Sequence, residues 1–276
     1  MKILCLHGVG SSGAILEKQM SNLRRELDPS FDLVFVDGPF ESERGPGVSE
    51  FESGPYYSHS QGYSPADISQ AIQYLEEILE DEGPFDGIFG FSQGSALTLS
   101  YFYQQHTMGN PIAVKFACLF SSAMPLSPDA RLGETIISKL RALEYDIKDI
   151  SEDKSKDLTS DEQEFVQILQ RTVLAATTHH PEFPWPDLGV YAHGELDTIP
   201  RLMYPVVLAE QIPIPTVHSW GRGDFEYLIK MAELSRSLCA ESMSRTVLHS
   251  GIHDLPKKQT EIKAVLRMID WAVSQA

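Results

Sequence analysis

Residues 85–105 read "FDGIFGFSQGSALTLSYFYQQ": an apolar run, a tight Gly-x-Ser-x-Gly turn at "GFSQG" (Gly90 to Gly94), then a helix-like run. The order predicts a strand, Ser92 at the turn, and a helix from Gln93 to Gln105 with Ala96, Leu97, Leu99 and Phe102 available for packing. Small residues at Gly90 and Gly94 let the backbone fold closely around Ser92 and lift its hydroxyl toward a cleft. The pentapeptide alone also suits a serine in a structural turn. Its strand, turn and helix setting makes Ser92 a candidate nucleophile.

Outward from this turn the chain alternates strand and helix. "KILCL" (Lys2 to Leu6) reads as a buried strand entering the glycine-rich "HGVGSSG", followed by a predicted helix from Ala14 to Leu27 and a second strand in "FDLVFVDGP". The best-marked helix has Ser64 as cap, Pro65 in its first turn, and Ile68, Ala71, Ile72, Leu75, Ile78 and Leu79 on one face, with Gly83 and Pro84 stopping it. "AVKFACLFSS", "IPTVHSWG" and "SRTVLHS" supply three further strands, and Ile262, Val265, Leu266, Ile269, Ala272 and Val273 mark a final helix. Strands joined through helices predict a central, mostly parallel sheet with flanking helices. Residues 126–186 break the rhythm, with two predicted helices, Pro128 to Tyr145 and Thr159 to Thr178, around an acidic linker. They are expected to form a helical insertion or lid over the active-site end of a single domain spanning 1–276.

Composition narrows the function. A formal net charge of −17 opposes a nucleic-acid or anionic-membrane surface. The Lys-rich segment "DIKDISEDKSKDLTSDE" is nearly balanced by its acids and reads as a solvated loop. Cys5, Cys118 and Cys239 are odd in number, widely spaced and set among apolar residues, as buried thiols are, which points to a reducing compartment. The start "MKILCLHG" is too short for a signal-peptide hydrophobic region and no run approaches bilayer length, so a cytoplasmic location without a membrane span is expected.

A neutral serine needs a histidine within hydrogen-bond reach and a carboxylate to hold the imidazole. His253 in "SGIHDLP" follows the last predicted strand, where a loop can return it to Ser92; His249 and His218 lie within strands and suit packing roles. Asp224, after "TVHSWGRG" and 29 residues before His253, is the preferred acid. Asp197 in "YAHGELDTIP" would leave an additional strand between acid and base, and Asp254 adjoins His253 too closely to reach its far nitrogen. The backbone N–H groups of Val9, in the early loop, and of Gln93, after Ser92, are the candidate oxyanion donors. His7 either orders that loop or faces the cleft. The loop lacks the spacing of dinucleotide and phosphate-binding motifs, and no convincing metal-ligand set is present, so neither cofactor nor metal is called for.

Together, "LCLHGVGSSG", "FVDGP", "GFSQG", "IPTVHSWGRGD" and "HDLP" resemble the fungal serine hydrolases called FSH, a branch of the α/β-hydrolases, over residues 2–273. The resemblance implies a triad of Ser92, Asp224 and His253 in a cytosolic esterase or thioesterase. One subgroup resembles enzymes of fungal polyketide pathways that release an acyl chain from a synthase carrier domain in secondary metabolism. "DGPFESERGPGVSEFESGPYYSHS" is similar to that subgroup's substrate-side loop, and its Phe40, Phe51, Tyr56 and Tyr57 are candidates to line an acyl pocket. The family often has two glycines before its histidine; here Gly251 and Ile252 stand there. The expected function is hydrolysis of an acyl thioester, with a possible polyketide-synthase acyl carrier domain as partner. The alternatives are a general small-ester carboxylesterase, with "FPWPDLG" as a lid over either substrate, and a noncatalytic hydrolase-like binding partner.

Overall fold

A computed structural model of the protein describes residues 1–148 and 157–276. Its first half runs β1 (Lys2–Leu6), α1 (Gly13–Gln19), α2 (Ser21–Glu26), β2 (Asp32–Val36), β3 (Phe40–Glu41), β4 (Tyr57–Ser58), α3 (Pro65–Asp81), β5 (Gly87–Phe91), α4 (Gln93–Met108) and β6 (Phe116–Phe120). The second half runs α5 (Glu134–Ala142), α6 (Ser160–Leu169), a π-helical turn (Gln170–Leu174), α7 (Ala175–His179), α8 (Val190–His193), β7 (Thr216–Gly221), α9 (Glu226–Ser237), β8 (Ser244–His249) and α10 (Gln259–Gln275).

Six strands form one parallel sheet in the order β2-β1-β5-β6-β7-β8. β5 and β6 are buried along their whole length, which a sheet covered on both faces requires. Alternation sorts their side chains. Leu4, Leu6, Ile88, Ala117 and Leu119 pack with α3 and α4, whereas Ile3, Cys5, Phe89, Phe116 and Cys118 pack with α1, α2 and α10. Phe89, Phe102, Phe116 and Phe120 are each at most 1% exposed, and each such burial contributes about 1.5–3 kcal/mol. The three cysteines are free and buried, and burial pushes their thiol pKa values up. No helix among the described residues is long and apolar enough to cross a membrane.

Local chemistry sets the element ends. Ser64 caps α3 in a reciprocal box: its hydroxyl accepts from the Asp67 N–H, and Asp67 accepts from the Ser64 N–H. The single helix predicted from Ala14 to Leu27 is instead two, because ψ at Met20 rises to −5° between them. The helix predicted from Pro128 begins only at Glu134. Asp129 folds the preceding turn by accepting from the Arg131 backbone, and Gly133 takes φ +67. The helix predicted from Thr159 is capped by Thr159 and continues to His179 through the π-helical turn. The long loop after β2 carries one unforeseen element, the short antiparallel pair of β3 and β4.

Residues 126–186 add no strand among the described residues. Ile137, Leu140, Phe165, Leu169, Tyr191 and Leu202 form a separate apolar cluster beyond the sheet. Of the segment 146–162 read as a solvated loop, residues 149–156 lie outside the described residues; in the rest Ile147, Leu158 and Glu162 are buried and α6 begins at Ser160, because the two apolar side chains and the Thr159 cap fold its ends onto the helical cluster.

A Cβ on Gly94 would lie 2.4 Å from the Leu6 carbonyl oxygen, so G94A should lower unfolding stability by about 1–3 kcal/mol in urea titration. His218 is buried in β7, and desolvation pushes its pKa down to about 3. Below about pH 6.5 the unfolded chain gains a proton there and the folded chain does not, so stability is lost as pH falls, at about 1.4 kcal/mol per pH unit until the folded pKa is reached. Urea midpoints between pH 6.5 and 4 should fall less steeply in His218→Gln, by about one proton's worth.

Candidate active site

The loops after β1 and β5 emerge side by side where strand order reverses, since β1 pairs with β2 on one side and β5 on the other. In open α/β sheets this switch point opens a crevice beyond the carboxyl ends of the strands. Ser92 stands there with φ 51 and ψ −109, a backbone conformation costing of order 1–3 kcal/mol outside glycine. Its neighbours hold it: the Ser92 N–H donates to the Phe120 carbonyl (2.9 Å), and its own carbonyl accepts from Ala123 (3.1 Å). A Cβ on Gly90 would lie 2.7 Å from Ser95 Cα, so glycine is what lets the helix leave so close to the strand.

β7 and β8 deliver the other two residues. Their pairing continues past the strand ends as a ladder: Arg222 N–H to His249 O (2.8 Å), then Gly223 N–H to Gly251 O (3.0 Å). One step further, His253 Nδ1 lies 2.9 Å from Asp224 Oδ2. A carboxylate accepts, so Nδ1 carries the proton and Nε2 keeps its lone pair. The Asp224 side chain is only 2% exposed, and its Oδ1 accepts from the Phe225 N–H at 2.8 Å. The Phe91 ring, beside Ser92, packs on the His253 ring at 5.2 Å between centroids. Ser92, His253 and Asp224 line one cavity, with no hydrogen bond between Ser92 and His253 in this conformation. Such contacts commonly close only with substrate bound.

The competing residues lie elsewhere. Asp197 is exposed on the turn after α8, away from the cavity wall. Asp254 accepts from the Leu255 N–H and pairs with Lys257, a local cap. His249 is buried and its Nδ1 accepts from the Gly251 N–H (3.2 Å), while His218 bonds Thr216 within its own strand.

No group among the described residues accepts from the N–H of Val9 or of Gln93, so both donors are unspent beside Ser92. His7 does not face the cavity. It is fully buried, with Nδ1 donating to the Gly8 carbonyl (2.7 Å) and Nε2 accepting from the Gly38 N–H (2.9 Å). Both bonds fit the neutral ring, and burial lowers its pKa.

The cavity is about 430 Å³ and mainly apolar. Leu97, Met124, Val173, Leu202 and Met231 form much of its wall, and Phe183, Trp185, Pro186 and Leu188 of "FPWPDLG" border it. None of the four aromatic residues expected in an acyl pocket lines it. Phe51 is 90% exposed on the loop crest; Tyr56 donates its hydroxyl to the Glu52 carbonyl; Phe40 and Tyr57 are committed to the β3–β4 pair. The same loop supplies instead Pro46, Gly47, Val48, His59, Ser60 and Tyr63. Sequence reasoning missed these because the fold of an irregular loop, not its apolar content, decides which side chains turn inward. Ile252, where the family often has glycine, is 65% exposed and borders the mouth. His179, Phe225 and Tyr227 stack with centroids 5.0–5.7 Å apart, so the helical segment touches the loop that holds Asp224.

The family model described as serine hydrolase (FSH1) matches residues 1–265. The chain is similar to the esterase alnB of Emericella nidulans, with 31% identity over 100% of this chain and 97% of that one. It is also similar to the hydrolase FUB4 of Fusarium oxysporum f. sp. lycopersici, with 27% identity over 95% and 94%. Among solved structures, Arabidopsis thaliana SOBER1 superposes with a TM-score of 0.50 at 15% identity, covering 99% of each chain. The esterase RhEst1 from Rhodococcus sp. ECU1013 gives 0.51 at 13%, covering 100% of this chain and 91% of its own. These two likenesses speak to the α/β-hydrolase fold alone. With a matching family model over nearly its whole length and a full-length esterase relative, the chain belongs to the serine hydrolase (FSH1) family and is a hydrolytic enzyme.

Proposed function

We propose that this serine hydrolase cleaves acyl thioesters, releasing a polyketide-type acyl chain from the carrier domain of a synthase, with Ser92, His253 and Asp224 as its triad. The observation that supports the proposal is that these three residues line one mainly apolar cavity of about 430 Å³, with space for an acyl chain. The resemblance of the loop after β2 to that of polyketide-releasing members adds support. Residues 126–186 act as a lid of the single domain, with "FPWPDLG" covering the acyl chain. The three free, buried thiols suit work in the reducing cytoplasm.

In this mechanism His253 Nε2 takes the Ser92 proton as Oγ bonds to the thioester carbonyl carbon. Asp224 keeps the imidazole in the Nδ1–H tautomer and stabilises the cation that forms. The Val9 and Gln93 N–H groups hold the oxyanion, where preorganised donors act most strongly. Collapse of the tetrahedral species breaks the C–S bond, and His253 returns the proton to the departing thiol. His253 then activates water, which attacks the acyl-serine and releases a carboxylic acid.

Oxygen esters pass through the same oxyanion and acyl-serine, so the cavity accommodates both classes. The full-length similarity to the esterase alnB favours the general carboxylesterase reading. The noncatalytic reading gives way to a hydrolytic enzyme on family membership.

Turnover of matched acyl-pantetheine thioesters and oxygen esters separates the two enzymatic readings. The expected result is a kcat/KM for thioesters that rises with acyl length and exceeds that of the matched esters; an ester preference at every length reverses the assignment. S92A should abolish turnover of both, and D224N should lower kcat about 10⁴-fold through the wrong tautomer, with the thermal midpoint of each variant checking that it folds.

A further inference from the structure

The two oxyanion donors come from different parts of the chain, Val9 from the loop after β1 and Gln93 from the turn after β5. Their separation must be held to a fraction of an ångström to fit one developing charge. The links that hold it converge on the His7 carbonyl, immediately before Gly8 and Val9. This oxygen accepts from the Gly94 N–H (3.1 Å), on the Gln93 side, and from His59 Nε2 (3.0 Å).

His59 grips the other side as well. Its backbone N–H donates to Gln93 Oε1 at 3.0 Å, and the Gln93 amide nitrogen in turn donates to the Ser58 hydroxyl (2.9 Å) and the Ser60 hydroxyl (3.2 Å). The His59 and His7 rings lie 4.4 Å apart, and His59 is 1% exposed. A carbonyl only accepts, so His59 carries its proton on Nε2, and Nδ1 is left without a protein partner among the described residues. Burial and the neighbouring His7 hold His59 well below the usual histidine pKa, which favours the neutral ring.

We propose that His59 is a positioning residue for the oxyanion hole, its Nε2–H and backbone N–H tying the Val9 loop to the Gln93 turn. The inference rests on the reading of Ser92 as nucleophile and of Val9 and Gln93 as oxyanion donors. Although His59 borders the cavity, its hydrogen bonds run to the His7 carbonyl and the Gln93 side chain and not to Ser92, His253 or Asp224. It acts by keeping both donors aimed before substrate arrives, so its loss weakens binding of the transition state more than binding of the ester.

Two substitutions separate this role from direct substrate contact. Glutamine reaches far enough to place an amide N–H near the Nε2 position, whereas asparagine ends near the Nδ1 position and leaves the His7 carbonyl without its donor. The protein, S92A, H59Q and H59N are compared on p-nitrophenyl butyrate for kcat and KM, with inhibition by an alkyl trifluoromethyl ketone, whose serine adduct carries the oxyanion, and with thermal midpoints. H59N is expected to lose about 10–100-fold in kcat with KM within about twofold, and to bind the ketone weaker by the same factor. H59Q is expected to stay within about threefold of the parent on both. The inference is overturned if H59N keeps its kcat, if it raises KM alone, or if H59Q falls as far as H59N. Should H59N not fold, H59Q decides by itself, a tenfold loss of ketone affinity overturning the role. Full activity in S92A would instead remove the underlying reading of the nucleophile, whatever the His59 variants do.

Discussion

The approach of the first turn of α4 to the end of β1 is the contact on which the rest of the site depends. Gly94 permits it, because any side chain there would meet the Leu6 carbonyl. With this distance short, the Gly94 N–H reaches the His7 carbonyl, Ser92 is forced into its left-handed backbone conformation, and the loops after β1 and β5 open onto the same crevice. The strain at Ser92 is sustained by the buried strands beneath it. A conformation that would relax in a loop persists at the edge of a well-packed core.

The second half of the site is built on a different economy. Asp224 and His253 sit on irregular loops, yet the backbone ladder from the β7 and β8 ends fixes their spacing, and burial of the carboxylate leaves the imidazole as its main partner. The cavity is then shaped by segments outside the sheet: the loop after β2, the 180–191 segment and the Phe225 region. Chemistry is thus anchored on the rigid frame, while the surfaces that meet the substrate are shared between helix faces, as at Leu97, Val173 and Met231, and these irregular segments.

What could be read from the sequence follows the same division. The sheet strands are short apolar runs ended by glycine-rich turns, and α3 carries its own cap and stripe, so local pattern and final structure agree there. Ser92, Asp224 and His253 could be placed by order because each follows a strand. The aromatic residues of the loop after β2 could not, since Phe40 and Tyr57 are claimed by a two-residue strand pair with almost no sequence signature, and Phe51 rides on the outside. His59 was illegible for a related reason. Its importance lies in two hydrogen bonds to residues 52 and 34 positions away, and nothing beside it in the chain records them.

The ladder that carries Asp224 to His253 also determines where this chain can change length. Its rungs, Arg222 with His249 and Gly223 with Gly251, keep the two loops in step, and a Cβ on Gly221 would strike the Gly251 carbonyl oxygen at 2.3 Å. One residue added between Gly221 and Arg222 would put both rungs out of register and part the acid from the imidazole. The loop between β2 and α3 is geared to the frame at its two sides, by Gly38 on His7, Gly45 on Gly10, Tyr57 on Ser11 and His59 on His7 and Gln93, but its crest, residues 46–55, bonds mainly within itself. Insertions, deletions and new substrate preferences therefore have room to accumulate on one rim of the cavity, while the opposite rim must be inherited at constant length.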